Sequence, residues 1–455
     1  MGEITVGLDI GTTSIKAVAV AADGTVAARV RIPHEVRVPE PECLEHDARR
    51  AWWRNPRRAL SQLQATEARA IAVAGMVPSL AAVDTGGRPT TPGLLYGDRR
   101  GRGNGGEREV GGGAGQSDEA AGFLRWAAAQ APDAAGYWPA QAVANRSLGG
   151  RPAIDLAVAF TASPLFGPEG WDADLVSDCG ASVARLAEVE LPGAPVGRLG
   201  GSDAGPVIAA GSVDVWCEQL VAGAAQPGDV HVICGTTLII WVVTSAADTS
   251  TAHPGLWSTP SSNPAIRTIG GASNAGGLFL DWCRRLAGRR TERVEPGNVP
   301  VWVPYPRGER TPYHDASRRA ALHDLDLTHG PGALQRAAWE ASGFVVRHHI
   351  DLAAVAAKRL VATGGGTRVE GWMQALSDAT GLPVHVAAEP EGAARGAAFL
   401  ARMAAGLESD LAEAARWAAT GRVVEPDSVW SAPTADRYRR FLELSGPPEP
   451  TAGSA

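Results

Sequence analysis

Asp9-Ile10-Gly11-Thr12-Thr13-Ser14-Ile15-Lys16 puts a carboxylate, a glycine, two adjacent hydroxyls and an amine within one short stretch. Glycine at a turn lets backbone N–H groups approach an oxyanion with no Cβ in the way. Thr12 and Thr13 add hydroxyl donors, and Lys16 adds a positive charge. Asp9, at the end of an apolar run, suits a hydrated magnesium ion. These are the parts of a phosphate clamp. Lys16 stands out further because, of 42 basic residues, all but Lys16 and Lys358 are arginines. A second turn, Cys234-Gly235-Thr236-Thr237, repeats the Gly-Thr-Thr core about 225 residues later. An ordinary hairpin with threonines chosen for strand propensity accounts for either turn alone, whereas two copies in one chain favour the clamp.

Two further stretches carry chemistry. Gly211-Ser212-Val213-Asp214-Val215-Trp216 sets an acid among apolar residues just before a helix-like run. Asp214 there reads either as a helix N-cap or as a base that accepts a proton from a substrate hydroxyl during phosphoryl transfer. Thr363-Gly364-Gly365-Gly366 follows a strand ending near Val361. Three glycines at a strand-to-helix turn admit a ligand closely, or make a tight crossover. No G-x-x-x-x-G-K-[ST] motif occurs, which excludes the P-loop class. Gly-Arg-Gly-Asn-Gly-Gly, within the glycine-rich stretch 101–115, matches G-x-G-x-x-G in form only. Asp98-Arg99-Arg100 precedes it rather than an apolar strand, so it predicts a flexible loop.

The elements that must hold these residues alternate between strands and helices, which predicts an α/β fold. Strands are expected over 4–9, 14–21 and 25–32, with a helix over 47–66 and strands over 70–74 and 80–83. The second half reopens with strands over 230–234 and 238–244. Helices then follow over 332–356 and 371–380, a strand over 384–387, and a last helix over 391–403. Residues 445–455, rich in proline, predict a frayed tail.

The chain has 455 residues, 45% hydrophobic and 20% charged, with net charge −7. This is enough for two domains and a large core, and it excludes wholesale disorder. The acidic balance argues against nucleic acid as a partner. No apolar stretch is long enough to span a bilayer, and no signal peptide opens the chain, so a membrane partner is not expected. Cys43, Cys179, Cys217, Cys234 and Cys283 form no C-x-x-C pair. They predict buried thiols in a reducing cytoplasm rather than a metal ribbon or disulfide framework.

Taken in order, these motifs resemble the FGGY family of carbohydrate kinases, within the sugar kinase–Hsp70–actin superfamily. Further matches are Glu45-His46-Asp47 with Trp52-Trp53, Gly308-Glu309-Arg310-Thr311-Pro312 leading to Asp315 and Ser317-Arg318-Arg319-Ala320, Trp339-Glu340 to Phe344, and Gln374 with Asp378. The Gly308–Leu322 segment is closest to xylulokinase-like members. The resemblance implies two ribonuclease-H-like, actin-like ATPase domains enclosing a cleft. They would be an N-terminal domain over 1–224 that binds sugar, a C-terminal ATP-binding domain over 225–430, and an extension over 431–455. Gly11, Thr12, Thr13 and Lys16 would contact ATP phosphates from one side, and Gly235, Thr236 and Thr237 from the other. Gly364, Gly365 and Gly366 would approach the adenosine, Asp9 would serve Mg2+, and Asp214 would be the catalytic base.

The departures from the family concern the substrate. Met76-Val77-Pro78-Ser79 stands where xylulokinases carry Gln-Met-His-Gly, so Pro78 replaces a sugar-contacting histidine. Met76, Val77, Pro78, Asp98 and Arg99 are the substrate-side candidates, with a surface Asp–Arg turn as the plain alternative for the last two. The expected activity is ATP-dependent phosphorylation of a small sugar or polyol. The alternative is an actin-like pseudokinase or regulatory ATPase with no sugar transfer. A homodimer is compatible with either.

Overall fold

A computed structural model describes residues 3–64, 67–101, 119–248, 252–260, 265–288, 293–389 and 391–448. The chain forms two compact units. One runs to Val221 and takes back Glu391–Trp417; the other comprises Ala222–Pro390 and Ala418–Ala455. The glycine-rich stretch from residue 102 onward and the tail beyond Pro448 lie outside the described residues.

The first unit is built on a sheet of β1 (Thr5–Ile10), β2 (Ser14–Val20), β3 (Val26–Pro33), β4 (Ala70–Gly75), β5 (Pro195–Arg198), β6 (Val207–Ala209) and β7 (Ser212–Val213). Its order is β5-β6-β4-β1-β2-β3, with β7 also pairing β4. β1 runs antiparallel to β2, from Thr5↔Val20 to Ile10↔Ile15, and parallel to β4. β1 and β4 are buried throughout, as a strand covered on both faces must be, and so read as continuous apolar runs. β3 at the edge alternates half-buried and exposed residues, with only Ile32 fully buried, and its outward Arg29 and Arg31 discourage edge pairing.

Helices cover both faces of this sheet. Asn55–Leu63 and Ala140–Leu148 cover one face around Leu8, Ile10, Trp52, Ile71 and Val73. The Gly392–Ala404 helix covers the other, laying Ala394, Ala397 and Ala398 on Val18, Ala70 and Ala72. The approach is close: a Cβ on Gly7 would sit 1.7 Å from the Ala394 carbonyl oxygen, and one on Gly396 1.9 Å from that of Cys217. The sequence division at 225–430 assigned this helix to the second domain. Its small-residue face instead packs on the first sheet, so the units do not follow one cut in the chain.

The second unit repeats the plan. β8 (Asp229–Cys234), β9 (Leu238–Ser245), β10 (Trp257–Pro260), β11 (Ile266–Ser273), β12 (Arg359–Thr363), β13 (Val384–Ala387) and β14 (Thr420–Val424) are ordered β10-β11-β9-β8-β12-β13-β14. β8 is antiparallel to β9 and parallel to β12, as β1 is to β2 and β4. The two Gly-Thr-Thr turns therefore occupy equivalent hairpins, and Gly364 follows the strand equivalent to β4. The helices Pro331–Ala353 and Glu370–Thr380 form within three residues of expectation.

One element was not expected. Ser428–Ser445 is an eighteen-residue helix, with Tyr438 and Phe441 in the second core. A buried ionic network fixes it. Glu340 accepts from Arg336 Nε at 2.8 Å and from Arg437 Nε at 2.6 Å, and Asp378 accepts from Arg336 at 2.7 Å and from the Asp427 amide at 2.8 Å. Of the expected extension over 431–455, the described part is a core helix. All five cysteines are buried and none is in a disulfide, and no described helix is long and apolar enough to cross a membrane.

Candidate active site

The first turn joins β1 to β2, and all three of its carbonyls are tied back into the first unit. The Gly11 carbonyl lies 2.9 Å from His34 Nε2, that of Thr12 lies 2.8 Å from His46 Nε2, and that of Thr13 accepts from the His34 amide at 3.0 Å. The Gly11 amide closes the turn on the Ser14 carbonyl at 3.1 Å. Among the described residues, the Thr12 and Thr13 amides have no acceptor in the protein. The Thr12 hydroxyl is 3.0 Å from the Tyr96 hydroxyl.

Asp9 and Lys16 pair across the same hairpin, with Nζ 3.1 Å from Oδ2. The Asp9 side chain is buried, and its Oδ1 has no partner among the described residues. The Asp9 carboxylate beside Lys16 raises the ammonium pKa against the lowering effect of burial. Asp214 opens the helix Asp214–Ala222 directly after β7, and its Oδ1 accepts from the Val215 amide at 2.7 Å. Burial, helped by the nearby charge of Asp9, pushes its carboxyl up to about 7, and Lys16 offsets this only in part. Asp9, Lys16 and Asp214 thus form one electrostatic cluster in the first unit. A carboxyl tuned near neutrality can hold or release a proton there.

In the second unit, the carbonyl of Gly235 accepts from the Gly277 amide at 2.9 Å, and that of Thr236 from the Leu278 amide at 3.1 Å. Both donors lie at the start of the helix Gly277–Ala287. The Thr236 and Thr237 amides, like their counterparts in the first turn, have no acceptor among the described residues. Glu309 braces the approach to that helix: it accepts from Ser273 Oγ at 2.8 Å and from the amides of Asn274 and Arg310 at 3.1 and 2.7 Å. Burial pushes its carboxyl up to about 7.

The glycines divide into two kinds. Gly364 has φ +87°, and a Cβ there would lie 2.9 Å from the Cys234 carbonyl oxygen; one on Gly366 would lie 2.1 Å from the Trp372 ring. Packing against the second turn and its helix requires glycine at both. A Cβ on Gly235 would lie 3.2 Å from the Thr237 carbonyl oxygen. A Cβ on Gly11 would meet nothing closer than the Ser14 oxygen at 3.4 Å, and one on Gly365 nothing within 4 Å. Neither of these two has a positive φ.

The substrate-side candidates separate. Met76 is buried in the first core, while Val77 and Pro78 are partly exposed. Val77 and Pro78 edge a small pocket of about 50 Å³ in the first unit, whose wall includes Phe123, Leu124, Ile154 and Trp171. Ser79 and Thr161 supply hydroxyls in that largely apolar wall. Asp98 is fully buried, and both its oxygens are engaged. Oδ2 accepts from the Leu44 amide and Arg100 Nη2, each at 2.6 Å, and Oδ1 from the Arg100 amide and Nε at 2.8 and 2.9 Å. Arg99 is half exposed and paired with Glu40. The structure thus brings Asp9, Lys16 and Asp214 together and sets Asp98 and Arg99 in a turn held by its own ion pairs. Sequence reasoning passed over His34 and Tyr96, and no local pattern marks either, since their contacts reach back 23 and 84 residues.

The family models described as the N-terminal and C-terminal domains of the FGGY family of carbohydrate kinases match residues 4–108 and 230–405. The chain is 30% identical over 469 residues to a xylulose kinase of Streptomyces rubiginosus, covering 93% of each. It is 29% identical over 468 residues to a xylulose kinase of Streptomyces coelicolor, again covering 93% of each. The crystal structure of xylulose kinase from Rhodospirillum rubrum superposes with a TM-score of 0.80 at 26% identity, covering 97% of this chain and 98% of that one. Two duplicated Gly-Thr-Thr hairpins on actin-like ATPase sheets, matched by both family models, establish that the chain belongs to the FGGY family of carbohydrate kinases.

Proposed function

We propose that this kinase transfers the γ-phosphoryl group of ATP to a hydroxyl of a small sugar or polyol, a ketose or sugar alcohol, with Asp214 as general base. The observation that carries the reading is the Asp214 carboxyl, poised near neutrality at a helix start beside Asp9 and Lys16. Asp214 orients the acceptor hydroxyl and takes its proton as the new O–P bond forms and the bond from the γ-phosphorus to the β-bridging oxygen breaks, releasing ADP. Phosphoryl transfer asks mainly for positioning and charge neutralisation, so the amides of Thr12 and Thr13, those of Thr236 and Thr237, and the Lys16 ammonium are assigned to the phosphates. Gly11 supports this assignment, since the fold itself does not require glycine there. Gly364, Gly365 and Gly366, beside the second turn, are assigned to the adenosine.

Asp9 fits a hydrated magnesium ion. Its Oδ1 is buried and unpartnered among the described residues, and no group of three or more metal-binding side chains among them could cage an ion directly. Magnesium bound with ATP supplies charge neutralisation on the β- and γ-phosphates.

The xylulose kinase relatives support a ketose as acceptor. Pro78 offers no side-chain donor where xylulokinases carry a histidine, which widens the reading from D-xylulose to small sugars and polyols in general. Asp98 and Arg99 act as braces of their turn. ADP release coupled to a spectrophotometric assay, with MgATP and a panel of ketopentoses, ketohexoses, tetritols, pentitols and glycerol, tests the reading. A substrate-dependent signal is expected; binding of ATP with silence across the panel would contradict it and favour a regulatory ATPase.

A further inference from the structure

The two Gly-Thr-Thr turns present the same amides but restrain them differently. In a trans peptide the C=O of one residue and the N–H of the next point in opposite directions. Holding the Gly11 carbonyl therefore aims the Thr12 amide, and holding the Thr12 carbonyl aims the Thr13 amide. In the second turn the corresponding carbonyls are held by main-chain amides of Gly277 and Leu278. In the first turn two imidazoles do this work.

His46 is fixed as a donor toward Thr12. The Trp52 indole N–H, which can only donate, lies 3.0 Å from His46 Nδ1, so Nδ1 is the acceptor and Nε2 carries the proton. Burial, with His34 alongside, lowers the His46 pKa to about 4, which keeps this neutral tautomer in place. His34 meets His46 edge-on, with ring centroids 4.5 Å apart, and is held at its own backbone by the Thr13 carbonyl. His34, His46 and Trp52 are thus one packed unit behind the turn, and none of them is on the amide side.

We infer that His34 and His46 are positioning residues for nucleotide binding: their Nε2–H groups lock the Gly11 and Thr12 peptides so that the Thr12 and Thr13 amides face the phosphates of ATP. The inference rests on the assignment of the first turn to those phosphates. Without the imidazoles, the two peptides are free to rotate and present carbonyl oxygens to an anion. The cost then falls on nucleotide affinity and not on the acceptor.

The test uses the whole chain and magnesium with the non-hydrolysable ATP analogue AMP-PNP. Its affinity is measured by calorimetry, alongside KM for MgATP, KM for the acceptor, kcat and the melting temperature. His46→Met and His34→Met remove the donors at similar bulk; His46→Gln and His34→Gln keep an amide N–H that reaches the same carbonyl. The methionine variants are expected to weaken AMP-PNP and raise KM for MgATP about tenfold, roughly the worth of one charge-assisted hydrogen bond. The acceptor KM should stay within about twofold, and glutamine should restore most of the loss. Folded methionine variants that bind AMP-PNP within about twofold of wild type would overturn the inference. If a methionine variant does not fold, Trp52→Phe decides: it retains both histidines but releases the His46 tautomer. It must weaken AMP-PNP about threefold, and unchanged binding overturns the inference. A wild-type protein that binds no AMP-PNP would overturn the nucleotide assignment itself, a result distinct from equal binding by wild type and variants.

Discussion

Asp9 and Lys16 are direct cross-strand partners on β1 and β2, with Lys16 Nζ 3.1 Å from Asp9 Oδ2, and the charge of each reaches Asp214. Asp9 raises the Asp214 pKa and Lys16 lowers it, so the hairpin that carries the first turn also tunes the proposed base.

This tuning predicts a pH profile. Asp214 must be ionised to accept a proton, so kcat/KM should rise with pH through about 7, where its carboxyl titrates. Lys16→Met removes a charge that favours the ionised form, and the acidic limb should move to higher pH. KM for MgATP should rise as well, by about tenfold or more. A limb that stays in place in Lys16→Met would separate Asp214 from the titration.

The same shift has a consequence for stability. The folded-state pKa of Asp214 lies above its ordinary 3.8, so the folded protein binds the proton more tightly than the unfolded chain does. Stability from this group is fully present below pH 3.8 and is lost as the pH rises through about 7. Asp214→Asn should therefore raise the melting temperature at pH 8, by about 2 °C or more, and the gain should vanish toward pH 4. Thermal melts across that range check the sign.

Glycines distinguish ligand approach from packing. Gly11→Ala has room for its Cβ and should melt within about 2 °C of wild type while raising KM for MgATP about tenfold. Gly364→Ala puts a side chain at φ +87° against the Cys234 carbonyl and should cost about 1–3 kcal/mol of stability. If Gly11→Ala left ATP kinetics untouched, the first turn would not be a phosphate site.

Asp98 provides the opposite control. It is a buried acceptor for the Leu44 amide and the Arg100 guanidinium, so Asp98→Asn should destabilise the fold by about 3 kcal/mol. The acceptor KM of the folded fraction should stay within about twofold. A large rise in acceptor KM at unchanged stability would make Asp98 a sugar contact instead.

Both Gly-Thr-Thr turns and their flanking strands were legible because their signals are local: β-branched runs, Gly-Thr-Thr and one duplication. The Gly392–Ala404 helix was legible as a helix, but nothing in its alanines says which sheet it covers; Gly7 and Gly396 reveal that only through their contacts. The Ser428–Ser445 helix carries Pro433 and several arginines, which give no local sign of a core helix, yet Arg437 is buried on Glu340. Asp98 stood among the substrate-side candidates through its place in the family pattern, and the bonds that saturate it were not legible, since the Leu44 amide lies 54 residues away. The His34–His46 pair joins segments that only the packed hairpin brings together.

Comparison of wild type with Asp214→Asn decides whether Asp214 is the base. Turnover with an acceptor identified from the panel is measured by coupled ADP release, and ATP affinity is measured on the same preparations. Asp214→Asn is expected to lose at least about a thousandfold in kcat, with ATP affinity within a few-fold. An Asp214→Asn protein that turns over at near the wild-type rate would contradict that role.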